Sequence, residues 1–298
     1  VFEKFNEKKD IISLKKINGI YKDKNKIEIG NTNLNKKNLT LSNAGISPKK
    51  ICEILDLIID GTISNRMAKE LFEISVLCSR DKSLGALIVT AIGKMFNAGG
   101  DLKEFDNPPG GRQDEHLSRV ASDLHNAIIR FQYMDAPVIM AINGTAAGGG
   151  FSLALSGDYI LASDKAKFVS AYTASGLTPD GSSTYFLAKH VGLLRAKELF
   201  LTNKMLSAEE AKEWGFVNEV VAHDSLIGRA KELASQLASG PTKAFGGVKR
   251  MLLSSFSSPI ESQLDNETRH IVGSMDTVDA PHGLNAFLNK KKPRFTGT

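Results

Sequence analysis

The chain has 298 residues, 42% of them hydrophobic and 24% charged, with a net charge of +5. That composition fits one large or two small globular domains, and no stretch reaches the roughly 18 consecutive apolar residues of a membrane span. Two cysteines, Cys52 and Cys78, make neither a disulfide framework nor a zinc cluster, so a reducing cytoplasm is the expected compartment and no metal is expected.

Residues 1–46 form a Lys- and Asn-rich head. Twelve Lys and no Arg against five acids put +7 on residues 1–50 and leave −2 on the remainder. The opening VFEKFNEKKD lacks the apolar core of a secretory signal. Low hydrophobicity with high charge predicts a loosely attached arm or short strands, with YKDKNKIEIG as a strand after a turn. Without Arg or interleaved aromatics, the Lys run reads as a solvated tail rather than a nucleic-acid arm. Residues 47–75 then predict two short amphipathic helices. Ser47 is the N-cap and Pro48 the first helical position, with Ile51, Ile54, Leu55 and Ile58 at helical spacing. Asp60-Gly61 stops the first helix and Ser64 caps the second.

Residues 76–205 have the texture of a layered α/β core. LGALIVTA, PVIMAIN and DYILAS are buried strands, and KMFNAGGDLKEF and FSLALS lead into helices. Residues 116–134 form a long helix with Leu117, Val120, Leu124, Ile128 and Phe131 on one stripe, stopped by Asp135-Ala136-Pro137. Residues 206–298 are mainly helical, and Ser207 caps SAEEAKEWGF. Two places share one design, a buried strand running through glycines into a helix: Ala98-Gly99-Gly100-Asp101 and Gly148-Gly149-Gly150-Phe151. The first N–H groups of a helix are unpaired, and glycine lets a ligand approach them, so two such turns can form an oxyanion hole. Tight strand-to-helix packing explains a single such turn equally well.

From about residue 76 to the end, the chain resembles the crotonase, or enoyl-CoA hydratase/isomerase, family. The carrying segments are ALIVTAIGKMFNAGGDLKEF, APVIMAINGTAAGGGFSLALSGDYILAS, FVSAYTASGLTPDGSSTYFLAKHVG, ELFLTNKMLSAEEAKEWGFVNEVV and GLNAFLNKKKPRFTG. Residues 47–75 more weakly resemble the C-terminal helical region of the B subunit of tRNA-dependent amidotransferases. The crotonase resemblance implies a repeated ββα spiral core with a helical C-terminal region that makes trimers or hexamers and caps the coenzyme A. It implies an acyl-CoA substrate, with no cofactor beyond the coenzyme A that the substrate carries. The family's N-R-P segment before the first core strand is absent, and the head and helical pair occupy its place: either they fold differently and substitute for it, or the core lacks its first strands, which would leave an uncovered sheet edge.

By that resemblance the N–H groups of Gly100 and Gly149 hold the thioester oxygen as an enolate forms. Hydratases of the family use two glutamates to handle water, and Ser152 and Tyr172 occupy those places here. Asp180, in GLTPDGSST, stands where the family's double-bond isomerases keep one catalytic carboxylate. A dehalogenase branch uses an Asp there as nucleophile, with a Trp just before the SGL segment, whereas the only Trp here is Trp214. The acyl pocket is expected from Ala98, Phe105, Ser152, Tyr172 and Leu177, with an apolar wall raising the Asp180 pKa. Lys103, Lys291, Lys292 and Phe295 are the coenzyme A candidates. Asp101 and Asp158 are expected in capping and strand-end roles, and His116, His125 and His190 without argued partners. The reading is an enoyl-CoA isomerase. A hydratase or other crotonase reaction, or a non-catalytic CoA-binding protein, stays open as the alternative.

Overall fold

The computed structural model describes residues 63–298 and the backbone of three short strands at 2–4, 12–14 and 53–55. These strands are β1 (Phe2–Lys4), β2 (Ile12–Leu14) and β3 (Glu53–Leu55). Helix α1 (Asn65–Arg80) follows, with Ser64 Oγ accepting the Met67 N–H as its N-cap.

The core then repeats one unit three times: a long strand, a short strand, and a helix. The first unit is β4 (Leu87–Thr90), β5 (Met95–Asn97), the short α2 (Leu102–Asp106) and α3 (Gln113–Tyr133). The second is β6 (Val138–Ile142), β7 (Thr145–Ala147) and α4 (Gly149–Leu155). The third is β8 (Tyr159–Ser163), β9 (Lys167–Val169) and α5 (Ser183–Val191). After α6 (Leu193–Thr202) come β10 (Leu206–Ser207), α7 (Ala208–Trp214) and β11 (Glu219–Val221). Four helices close the chain: α8 (Leu226–Ala238), α9 (Thr242–Ser255), α10 (Ile260–Ser274) and α11 (Asp279–Leu288).

The long strands join one sheet in the order β11-β8-β6-β4-β1-β3-β2, parallel from β11 to β4. The short strands form a second sheet, β10-β9-β7-β5. Alternation along the long strands divides the core. Leu87, Val89, Val138, Met140, Ile142 and Ile160 join one apolar cluster with α1, α3 and α4. Ile88, Ile139, Ala141 and Leu161 face Leu226, Ala230 and Leu233 of α8 on the other side. Burial on both faces is why these strands read as continuous apolar runs. Phe151, Phe168 and Phe216 pack edge-to-face beneath α4, with ring centroids 5.3–6.4 Å apart. No helix among the described residues is long and apolar enough to cross a membrane.

The structure departs from expectation near the start of the core. Instead of the first of two helices, residues 53–55 form strand β3, paired antiparallel with β1 and parallel with β2. The second helix is α1, and it runs to Arg80, through the boundary expected at 75/76. The edge of β4 is not open: β1 pairs along it, Phe2 opposite Val89 and Lys4 opposite Leu87. Strands β10 and β11 belong to the two core sheets, although they lie beyond residue 205. The Ser47 cap, the 47–52 turn of the first helix and the strand in YKDKNKIEIG lie outside the described residues.

Candidate active site

Two glycine turns meet where β5 runs into α2 and β7 runs into α4. Gly99 has φ +94° and Gly148 φ +51°, conformations that a side chain would strain. A Cβ on Gly99 would lie 3.0 Å from the Ala147 carbonyl and 3.3 Å from the Gly149 nitrogen, so the backbones touch directly. Asn97, buried beneath, accepts the Gly99 N–H on Oδ1 at 2.8 Å and donates to Met67 Sδ at 3.4 Å. It also fills the space where a Gly150 side chain would go. Ile63 locks the first turn from outside: its N–H donates to the Gly99 carbonyl, and its carbonyl accepts the Asp101 N–H at 3.2 Å. Among the described residues the Gly100 and Gly149 N–H groups donate to no backbone or side-chain acceptor. Gly100 is half-buried and Gly149 buried, and a buried N–H is rarely left so.

The acidic residue comes from the loop before α5. Tyr172 donates its O–H to Asp180 Oδ1 at 2.6 Å, and Ser152 Oγ lies 2.8 Å from the same phenol oxygen. Ser152 Oγ also donates to the Asp180 carbonyl at 2.8 Å. Two hydroxyls therefore hold Asp180, Tyr172 at the carboxylate and Ser152 at the main-chain carbonyl. The loop is held in uncommon backbone: Ala171, just before Tyr172, has φ +61°, and Ser182, just after Asp180-Gly181, has φ +67°.

His125 is a further member that the sequence reading left without a partner. It sits on α3 next to Leu124, with Nε2 3.4 Å from Asp180 Oδ2. The Gly181 N–H donates to that same nitrogen at 3.1 Å. One nitrogen cannot do both at once. A neutral imidazole offers its lone pair to Gly181, and a proton on Nε2 turns it into a donor to Asp180. The expected rise in the Asp180 pKa is not what the structure gives. Burial pulls the carboxyl upward, but hydrogen bonds from His125 and Tyr172, with the His125 charge, hold it below the ordinary carboxylate range. The Tyr172 phenol moves the other way, pushed up by burial and then by the Asp180 charge.

One leucine methyl links the acid to the glycine turns. Leu124 Cδ2 lies 3.7 Å from where a Gly149 Cβ would be and 3.3 Å from where a Gly181 Cβ would be. Among the other expected pocket residues, Phe105 covers Gly100, where a Cβ would fall 2.4 Å from its ring. Ala98, at the first glycine turn, and Leu177, in the loop before α5, are half-buried. Lys103, Lys291 and Lys292 are exposed, the first on α2 and the others after α11. Phe295 is turned into its own chain, against Gly283, where with Pro241, Ala244 and Thr277 it lines a cavity of about 220 Å³. Asp101 caps α2, and Asp158 accepts the Val138 N–H and meets Lys249 at the strand end. Trp214 lies between the Arg195 and Lys204 cations. His190 stacks on Phe186 in a setting whose burial lowers its pKa. Among the described residues no group of His, Cys, Asp and Glu could hold a metal ion.

Against known proteins, the family model described as enoyl-CoA hydratase/isomerase matches residues 60–298. A second, the GatB domain, matches residues 27–91. The 1,2-epoxyphenylacetyl-CoA isomerase of Escherichia coli is 36% identical over 79% of this chain and 90% of its own length. The 4-chlorobenzoyl coenzyme A dehalogenase-1 of an Arthrobacter species is 35% identical over 76% of this chain and 83% of its own length. Among solved structures, an enoyl-CoA hydratase from Bacillus anthracis superimposes with a TM-score of 0.73 at 32% identity, covering 80% of this chain and 91% of that one.

Proposed function

The chain belongs to the enoyl-CoA hydratase/isomerase family, and we propose that within it the protein is an acyl-CoA isomerase that moves a carbon–carbon double bond. The observation that carries this reading is that Ser152 and Tyr172, which stand where hydratases of the family keep glutamates, are both hydroxyls, with Tyr172 bonded to the Asp180 carboxylate and Ser152 to the Tyr172 phenol and the Asp180 main-chain carbonyl. Adding water calls for a second acid/base group, whereas shifting a double bond calls for one base that removes a proton and returns it elsewhere.

In this scheme the thioester oxygen of a 3-enoyl-CoA sits between the Gly100 and Gly149 N–H groups. Asp180 takes a proton from the carbon next to the carbonyl, the electrons move onto the oxygen as a dienolate, and the protonated acid returns the proton two carbons further on. The product is the conjugated 2-enoyl thioester. Oδ1 is committed to Tyr172, so Oδ2, the looser oxygen facing His125, carries the proton. His125 and Tyr172 orient the carboxyl from either side. Lys103, Lys291 and Lys292 supply cations for the coenzyme A phosphates, and no cofactor beyond the substrate's own coenzyme A is required. Subunits assemble as trimers or pairs of trimers through the C-terminal helices.

A second reading has an observation of its own. An ionised Asp180 with an imidazole beside it, and the aromatic Tyr172 just before SGL, suits displacement of halide from an aryl-CoA. Asp180 would attack the ring carbon, halide would leave, and water deprotonated by His125 would hydrolyse the aryl ester at the carboxyl carbon. The test is one panel: 3-enoyl-CoA for conjugation, 2-enoyl-CoA for hydration, and 4-chlorobenzoyl-CoA for chloride release. Conjugation that disappears in Asp180→Asn supports the isomerase. Conjugation retained by that variant overturns the assignment of the base, and chloride release without conjugation selects the second reading.

A further inference from the structure

A second pair of ionisable side chains lies on the far side of the Gly100 turn, and no role in the proposed reaction uses it. Glu104, on α2, accepts the Asn65 N–H on Oε2 at 3.1 Å, which ties α2 to the first turn of α1. Its other oxygen, Oε1, lies 3.5 Å from His116 Nε2. His116 is buried within the first turn of α3, with a side chain 5% exposed, and its Nε2 has no hydrogen-bond partner. Buried polar atoms are nearly always satisfied, so an imidazole kept here at that cost needs a reason. Between Glu104 and the glycine stands Phe105. Its ring lies against Gly100 on one side and edge-on to the His116 ring on the other, with centroids 6.0 Å apart.

Helix α2 has only five residues, none of them fully buried, and the half-buried Phe105 ring is its packing contact with the core. Besides that ring it is held by polar groups: Asp101 as its N-cap, the Asn65 N–H on Glu104, and the approach of His116 Nε2 to Glu104 Oε1. The Gly100 donor precedes this helix directly. On its other flank the Ile63 bridge fixes Gly99 and Asp101, and Ile63 also packs its Cδ1 against Gly149. Movement of α2 would take Phe105 off Gly100 and leave the Ile63 bridge alone to aim that peptide, while the Gly149 donor stayed fixed in α4.

We propose that Glu104 and His116 are positioning residues, which clamp α2 between α1 and α3 and so hold Phe105 against Gly100 with its N–H aimed at the thioester oxygen. This rests on the assignment of Gly100 and Gly149 as oxyanion donors. The pair does not touch substrate, and it acts through Phe105. Its loss misaligns one donor without deleting it, so the effect is smaller than the about 10²- to 10³-fold of losing a donor outright.

The experiment uses the full chain with E104A, H116N and the double variant. E104Q keeps an acceptor for the Asn65 N–H. E70A, which removes the exposed Arg66–Glu70 pair of α1, is the control. A conjugated cinnamoyl thioester of coenzyme A is the optical probe, because its absorption moves to the red when its carbonyl accepts strong hydrogen bonds. The expected result is a kcat lower by about tenfold in E104A and in H116N, with KM within about twofold, a pattern that marks an interaction made in the transition state. The red shift shrinks in both variants, the double variant is no worse than the more impaired single one, and E104Q recovers most of the red shift. Singles that lower the melting temperature but keep the full red shift and kcat overturn the proposal, because the pair is then structural. Wild-type protein that gives no red shift overturns the oxyanion assignment itself, and the clamp with it. Wild-type protein that gives the red shift but moves no double bond refutes only the isomerase reading, and the red shift of the variants still decides the clamp.

Discussion

Asp180 gathers a phenol on one oxygen and an imidazole on the other, and the balance between them sets its charge. Its pKa lies below the ordinary value of about 4, so it is ionised across the neutral range. A depressed carboxylate contributes stability that is present above its unfolded pKa and is lost as pH falls through the folded value. Tyr172→Phe removes one stabilising donor, so the folded pKa rises. The acid limb of kcat/KM should move up in pH, and stability at neutral pH should fall by about 1 kcal/mol, a figure discounted for a side chain one-third exposed. A pH–rate profile and urea titrations measure the two effects, and an unmoved acid limb would show that the Tyr172 bond does not tune the acid. His125→Gln separates the two proposed chemistries at the same site. It keeps a polar group near Asp180, so isomerisation should fall by no more than about tenfold, whereas ester hydrolysis by a water that needs a base should fall by about 10²-fold or more. Stopped-flow detection of an accumulating aryl-enzyme would reveal the second case. The two glycine turns and the Pro-Asp-Gly turn stand out locally, but the roles proposed for Gly100, Gly149 and Asp180 came from the family resemblance, since each turn alone is equally a packing or solvated-turn feature. His125 was not legible, since its neighbour Gly181 lies 56 residues away and nothing around it in α3 distinguishes it from an ordinary half-exposed helical residue.

At the scale of elements, apolar runs were enough to locate β4, β6 and β8, and Ser64 and Ser207 sit at helix starts as caps. Ser207 forms a complete capping box with Glu210. Residues 53–55 show why other elements escape such reading. The apolar spacing of Ile51, Ile54, Leu55 and Ile58 fits a helix, but the backbone joins β3 to β1, with Leu55 opposite Phe2. A partner that distant in sequence decides between strand and helix where a short apolar run cannot. Helix α9 depends on a similarly nonlocal tie. Lys249, with a side chain 8% exposed, donates to Asp158 Oδ2 at 2.7 Å and to the carbonyls of Phe131 and Ala136 at 2.8 and 3.0 Å. All three ammonium protons are thus used to pin α9 to the end of α3 and the start of β6. Burial lowers the Lys249 pKa and raises that of Asp158, so the pair itself adds little net stability. Removing one partner is a different matter, because it strands the other. Lys249→Met should cost about 3 kcal/mol, and pairing it with Asp158→Asn should recover part of that loss. Chemical denaturation of the two variants checks this, and simple additivity of the two single costs would refute the coupling.

At the scale of the whole molecule, many of the exposed apolar side chains lie on the C-terminal helices, with a further set, Leu193, Leu194 and Leu201, on α6. Leu252 and Phe256 near the end of α9, Ile260 and Ile271 on α10, and Phe287 on α11 are each more than 60% exposed. Single exposed apolar residues are ordinary, but several on consecutive helices are the kind of surface that the proposed trimer contact would cover. These same helices carry the segment with Lys291 and Lys292, so an assembly that covers them would also fix where those cations lie. On the proposed trimer, light scattering after size exclusion should give three or six times the 32.3 kDa of one chain. Phe287, 81% exposed, should be among the side chains buried at the contact. A charge there would be desolvated on assembly at a cost of several kcal/mol per site, repeated at each symmetric contact. Phe287→Asp should therefore shift the mass toward that of one chain while leaving the core's far-ultraviolet circular dichroism intact. The apparent KM for the coenzyme A thioester should rise in the same variant. A variant that stays fully assembled would place the contact elsewhere on the surface. One that dissociates with KM unchanged would mean that coenzyme A is held within a single chain, so that Lys103 on α2, rather than the C-terminal lysines, is the cation that binds its phosphates.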